Sequence, residues 1–316
     1  MSTPTPGLHR WQANALLLLA AVIWGSAFVG QALGMDGVGP LSFTALRFAL
    51  GTLVVAPLAW QEHRRLRAQP RPADSTAAGR LEGRAALRWI LALGTLLCAG
   101  VVLQQIGLMS TTVTNAGFLT ALYVPLVPVA GWLLQRVLPH WSVWPAAVGC
   151  VIGTWLLTGG AGAGAGAQTL SAGDLWVLAS ALPWALHVLL VGQIANRLRG
   201  AYRLACGQFM VCTLLSAALA CGLEQITLDG LQRAAGAIVY TGVLSVGVGF
   251  TLQVIGQRHA PPADAAIVLS SETVFAALFG AWWMGDRLGL QGLAGCALIL
   301  TGILWVQLAP LLRRPG

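Results

Sequence analysis

The chain has 316 residues, 57% of them from the apolar set AVILMFWYC and only 9% charged, with a mean hydropathy of +0.75. An ordinary soluble domain carries about 25% charged residues, so a folded body of this size lacks the polar side chains to cover its surface. Water-soluble enzymes, disordered chains and secreted disulfide scaffolds are set aside, leaving an all-α integral membrane protein. The net charge of +8 does not point to nucleic acid, because all 18 basic residues are Arg and seven of them crowd one loop.

A helix needs about 20 mostly apolar residues to cross the roughly 30 Å hydrocarbon layer. Ten stretches meet that need: 13–34, 40–60, 87–108, 113–135, 141–159, 173–193, 203–223, 234–256, 262–284 and 289–310. The first is too long for a signal-peptide core and reads as a retained span. Turn chemistry separates them at Gly37-Val38-Gly39-Pro40, at the Pro/Arg-rich stretch from Gln61 to Arg88, at Leu138-Pro139-His140 and at Ala260-Pro261-Pro262. The run Gly159 to Ala167 lacks the Lys and the spacing of phosphate loops and reads as a flexible linker. The six cysteines (98, 150, 206, 212, 221 and 296) lie in apolar runs without a C-x-x-C pair, as buried small hydrophobes do.

The arginines orient the spans. With a cytoplasmic N-terminus, Arg10, the seven of the 61–88 loop, Arg136, Arg197, Arg199, Arg203, Arg258, Arg313 and Arg314 face inward, and only Arg233 and Arg287 face outward. Such a bias follows the positive-inside rule and places both termini in the cytoplasm of a multi-pass inner-membrane protein.

The two sides of the linker repeat one another. Leu103-Gln104-Gln105-Ile106-Gly107 aligns with Leu252-Gln253-Val254-Ile255-Gly256, and Asn115-Ala116 with Asp264-Ala265, at one offset of 149. Gly149-Cys150 meets Gly295-Cys296 at 146, and Phe48 with Thr52-Leu53 meets Phe209 with Thr213-Leu214 at 161. Five spans per unit is an odd number, so the second unit is inverted. The expected organisation is a tail (1–11), a five-helix repeat (12–158), a linker (159–171), a second repeat (172–310) and a tail (311–316). Inverted repeats are common in secondary transporters, which hold substrate near the midplane between them.

Several motifs, taken in order, resemble a known family. Trp24-Gly25-Ser26-x-Phe28, Pro40 and Leu46-Arg47-Phe48 are similar to the first two helices of the EamA type of the drug/metabolite transporter superfamily. Thr114 to Thr120, Ser271-Glu272 with Val274 to Ala277, and Met284-Gly285-Asp286-Arg287-Leu288 resemble its fourth, ninth and tenth helices. The chain departs from the pattern at Pro139-His140, where Gly-Glu is usual, and at Thr273, where Pro often follows the Glu. The resemblance implies export of small metabolites with both termini inside. No cofactor or metal is expected.

Ionisable side chains deep in spans are costly and mark function. Of the ten acids and 18 arginines, only Arg47 and Glu272 lie deep. At about 1.5 Å per residue their depths differ by about 5 Å, close enough for contact if the helices adjoin. Arg47 has a competing reading, snorkelling to the outer headgroups. Glu272 has no interface near it and is a candidate proton carrier. Gln104 and Gln253 hold equivalent positions and either face the central axis or bind helix to helix. Gln208 matches Arg47, and Tyr123 matches Glu272. Asn115 and Thr120 on the fourth span, with Trp24 and Trp184 on the opening helix of each repeat, complete the cavity candidates. Ser271, with Ser270, is either a site residue or a hydroxyl back-bonded to its own helix, and His187 either a proton shuttle or a satisfied buried histidine. Asp264 and Asp286 begin spans, where a carboxylate favours a helix N-terminus, and Gly149-x-x-x-Gly153 permits close helix approach.

The expected function is secondary-active export of small metabolites, amino-acid-like or drug-like, with the lipid bilayer and protons as partners. Alternatives are a nucleotide-sugar or lipid-linked carrier of the same superfamily and a non-transporting scaffold or sensor. An intramembrane enzyme is disfavoured, because no H-E-x-x-H, acid pair at helical spacing, or Ser with a nearby His/Asp pattern occurs.

Overall fold

The computed structural model describes residues 10–68, 83–136, 138, 140–157, 171–194, 197–198, 200–259 and 268–312. The terminal tails as far as 9 and from 313, the linker from 159 to 170, Pro139, the Ala260-Pro261-Pro262 break and Asp264 lie outside these residues. The elements are α1 (Arg10–Gly34), α2 (Pro40–Ala68), α3 (Gly83–Gly107), α4 (Val113–Thr120), α5 (Tyr123–Gln135), α6 (Val143–Leu157), α7 (Ala172–Ile194), α8 (Ala201–Leu223) and α9 (Leu228–Val239). A π-helical stretch, Tyr240–Gly249, carries α9 into α10 (Phe250–His259). Then come α11 (Glu272–Phe279), its π-helical continuation Gly280–Met284, and α12 (Leu290–Leu312).

Seven helical stretches are long and apolar enough to cross a membrane: Trp11–Gly34, Pro40–Ala68, Gly83–Gly107, Val113–Leu134, Ala172–Val191, Ala201–Leu223 and Leu228–Gln253. Three shorter apolar helices, Val143–Leu157, Val268–Met284 and Leu290–Trp305, accompany them. The polar ends of the spans differ from expectation. The helix predicted to stop at 60 continues to Ala68, because no breaker occurs between residue 60 and Pro70 and the arginines of its last turn suit a helix C-terminus. The eighth span, expected from 234, begins at Leu228, where the Thr227 hydroxyl accepts the Gly230 N–H at 3.1 Å. Thr112 caps α4 in the same way through the Asn115 N–H at 3.1 Å. The chain stops α5 with Arg136 at φ 59° and ends the second π-helical stretch with Gly285 at φ 74°, the left-handed conformation in which Gly carries no Cβ penalty.

Helix α2 packs on α8, α6 on α12, and α3 on both α7 and α8. Helix α1 packs on α10, α11 and the Tyr240–Gly249 stretch, while α7 receives α4 and α5. Helices α2 and α8 run antiparallel. The Glu224 carboxylate, just past the end of α8, accepts the Leu41 and Ser42 N–H groups at the start of α2, both at 2.8 Å. Glu62, near the end of α2, accepts the Ala201 and Arg203 N–H groups at the start of α8, at 3.1 and 3.0 Å. The first N–H groups of any helix lack a partner within it, and here the other helix's acid supplies one at each start. Helices α6 and α12 are likewise opposed, with Gly153 against Gly295 and Ile299, and Gly302 against Cys150 and Ala146.

Small residues bring these backbones together. A Cβ on Gly94 would lie 3.2 Å from the Gln208 carbonyl and against Val211, and one on Gly242 would lie 2.8 Å from the Arg47 carbonyl and against Leu50. Gln208 and Arg47, like Val211 and Leu50, are separated by the offset of 161 that also aligns Phe48 with Phe209. One helix crossing is therefore built twice.

Candidate functional site

A cavity of about 690 Å³ opens within the bundle. It draws its walls from α1, α2, α3, α4, α5, α7, α8, the Tyr240–Gly249 stretch, α10 and α11. Trp24, Arg47, Gln104, Thr120, Tyr123, Trp184, His187, Gln208, Gln253 and Glu272 all line it.

The two tryptophans occupy matching seats. Trp24 lies over Gly249, where a Cβ would come within 2.6 Å of its Nε1, and Trp184 lies over Gly100, where a Cβ would come within 3.2 Å of the indole. Gly100 and Gly249 share the offset of 149 that relates Gln104 to Gln253. The two indoles differ in their hydrogen bonding. Trp24 Nε1 donates to the Ser245 carbonyl at 3.1 Å, whereas Trp184 Nε1 is buried without a partner. Phe250 stacks beside Trp24 with ring centroids 5.0 Å apart, and Phe209 joins Phe250 to Phe48 at 5.3 and 5.7 Å. The result is an aromatic wall along one side.

Polar groups along the rest of the wall are mostly engaged. Gln104 donates from Nε2 to the Thr120 hydroxyl at 2.8 Å. His187 Nε2 lies 2.5 Å from Gln208 Oε1. The Gln208 amide donates from Nε2 to the Leu204 carbonyl at 3.4 Å, so Oε1 is the acceptor and the histidine proton sits on Nε2. His187 is thereby a hydrogen-bonded buried histidine, with its ring edge-on to Trp184 at 6.0 Å.

The deep arginine and the deep acid are less engaged. Arg47 is only 4% exposed, and its guanidinium carbon lies 5.3 Å from the Phe48 ring and 5.6 Å from the Phe43 ring. The arginine is packed into the bundle between aromatic faces, so the snorkelling alternative is replaced by burial. Its Nε has no hydrogen-bond partner. Glu272 is half-buried on the cavity wall. Arg47 and Glu272 share the cavity without meeting: no ion pair within 4.0 Å joins them.

Two expected residues lie elsewhere. Asn115 is buried and donates from Nδ2 to Asp174 Oδ1 at 3.1 Å, and Asp174 also accepts the Thr111 hydroxyl and, at 2.9 Å, the Ser171 N–H. Asn115 thus ties the start of α4 to the start of α7. Ser271 donates its hydroxyl to the Val268 carbonyl at 2.6 Å, a bond within its own turn. Asp286 accepts the Thr114 N–H and hydroxyl, both at 2.9 Å, so the helix start it serves is that of α4. Gly153 makes its close approach to α12. Among the described residues, no three His, Cys, Asp or Glu side chains converge as a metal site requires.

Sequence reasoning missed Phe28, Gln31, Phe48, Ser245 and Phe250 in the lining. Phe28 stands four residues after Trp24 and Phe250 three before Gln253, one helical turn each, so spacing from residues already chosen identifies both. Ser245 lies in the π-helical stretch, where the usual helical spacing no longer predicts which face a residue takes.

Apolar helices folded around a cavity that holds one arginine and one glutamate define a polytopic membrane transporter. The model of the EamA-like transporter family matches residues 11–159 and again 171–308, and the chain belongs to that family. It is similar to an uncharacterized transporter of Archaeoglobus fulgidus, with 26% identity over 96% of this chain and 88% of that protein. It is also similar to the uncharacterized transporter YwfM of Bacillus subtilis, with 25% identity over 94% of each chain. A solved crystal structure covering 97% of this chain and 100% of its own superposes with a TM-score of 0.64 at 20% identity. At that identity the likeness is one of fold.

Proposed function

We propose that the chain is a secondary-active exporter that moves small amino-acid-like or drug-like metabolites across the cytoplasmic membrane by alternating access. Ten spans form two inverted five-helix repeats, 12–158 and 172–310, which rock about the shared cavity. The two separate family matches and the antiparallel course of α2 with α8 and of α6 with α12 support that arrangement, since equivalent helices of inverted repeats point in opposite directions. The excess of arginine on one side supports cytoplasmic termini. The observation that carries the proposal is the cavity itself, which is lined by both repeats and contains Arg47 and Glu272.

Glu272 is the proposed proton carrier, because a carboxyl on a cavity wall within the membrane can exchange protons with whichever side the cavity faces. Counterflow and efflux of labelled metabolites from proteoliposomes test this directly. Glu272→Gln is expected to abolish proton-coupled transport while eluting as folded protein. Wild-type rates with unchanged pH dependence in that variant overturn the assignment.

A further inference from the structure

We propose that the Arg47 region of the cavity is a carboxylate subsite, and that its occupant is a monoanionic organic acid with an apolar body. The inference rests on the reading of this cavity as the substrate's.

The arginine's environment is incomplete. A guanidinium offers five donors in a fixed fork, and burial of such a charge without an acceptor is costly. The Phe43 and Phe48 rings supply cation–π attraction and hold the side chain, yet neither offers a hydrogen-bond acceptor in its plane. Nε is left buried and unpartnered, and among the described residues no carboxylate stands within ion-pair reach.

The matching position in the other repeat carries no charge. Gln208 stands where Arg47 does, against the same kind of glycine crossing, and its neutral amide is engaged by His187 and by the Leu204 carbonyl. The scaffold does not require a cation at this place. What the cation adds is affinity for an anion.

A second buried donor without an acceptor, Trp184 Nε1, lines the same cavity. The aromatic wall of Phe48, Phe209 and Phe250 fits an apolar body, and about 690 Å³ falls within the usual range of small-ligand sites. One guanidinium matches one carboxylate bidentately. A phosphate dianion brings a second negative charge into a cavity whose wall also carries the acid Glu272, and like charges oppose it.

The test uses the full purified chain in lipid nanodiscs, titrated calorimetrically with 3-phenylpropionate, the isosteric 3-phenylpropanamide, 3-phenylpropylamine and inorganic phosphate. The carboxylate is expected to bind about ten- to a hundredfold more tightly than the amide, the range for a hydrogen bond to a charged group. That preference should vanish in Arg47→Gln, whose elution and cooperative thermal unfolding in nanodiscs report an intact fold. Arg47→Lys should keep part of it. Equal binding of acid and amide by the wild type, absence of carboxylate binding, tighter binding of amine or phosphate, or a preference that survives Arg47→Gln each overturns the subsite. Failure here leaves the Glu272→Gln transport outcome untouched. A carboxylate preference in a chain that transports nothing sinks the transport reading instead.

Discussion

Residues 11–159 and 171–308, the two stretches that the family model matches, share a helix crossing and a tryptophan seat and fill them with different chemistry. Gly94 and Gly242 support matching crossings, and Gly100 and Gly249 seat matching tryptophans. The cavity-facing positions between those crossings diverge. Arg47 stands opposite a neutral Gln208, and Glu272 opposite Tyr123. Backbone contact tolerates only small residues, because a well-packed helix interface has no room for an added carbon. Side chains that face an open cavity meet no such limit. Matching backbone contacts therefore surround an asymmetric cavity, with the cation from the first matched stretch and the acid from the second.

That contrast can be broken in graded steps. The largest effect is expected at 272, where Glu272→Gln abolishes coupled transport and Tyr123→Phe, at the matching place, leaves most of it; the liposome efflux assay reads both. Next come the crossings. Gly94→Val and Gly242→Val should each destabilise the folded chain by about 1–3 kcal/mol through overpacking, and by similar amounts if the crossings are equivalent, as thermal unfolding in detergent will show. Gln208→Leu removes the acceptor of a buried histidine N–H and should cost about 1–3 kcal/mol, with no loss of carboxylate preference. Smaller still, Glu62→Gln and Glu224→Gln each weaken a helix cap, for which about 0.5–2 kcal/mol is typical. Gly236→Ala, on an exposed face where a Cβ meets nothing, should raise stability by about 0.5–1 kcal/mol.

The membrane character and most of the helices were legible because bilayer thickness sets their length and composition marks them. Ten of the twelve site candidates reach the cavity for a related reason: polar groups are rare within spans, and those present turn inward. Asn115 did not follow, since it lies beside a helix start where a nearby acid, Asp174, could claim it. Ser271 was satisfied within its own turn. The aromatic wall was harder to see, because Phe in an apolar span carries no signal until the helices that face it are known. The π-helical stretch Tyr240–Gly249 left no mark in composition, and it shifts the facing of Ser245.

The reciprocal acids at the two ends of α2 and α8 have a mechanical consequence. A slip of one helix along the other by a single turn detaches both carboxylates at once, so the pair behaves as a strut of fixed length from one face of the molecule to the other. In the alternating access proposed above, this strut is the part common to both repeats that stays fixed, and opening on either side comes from the other helices.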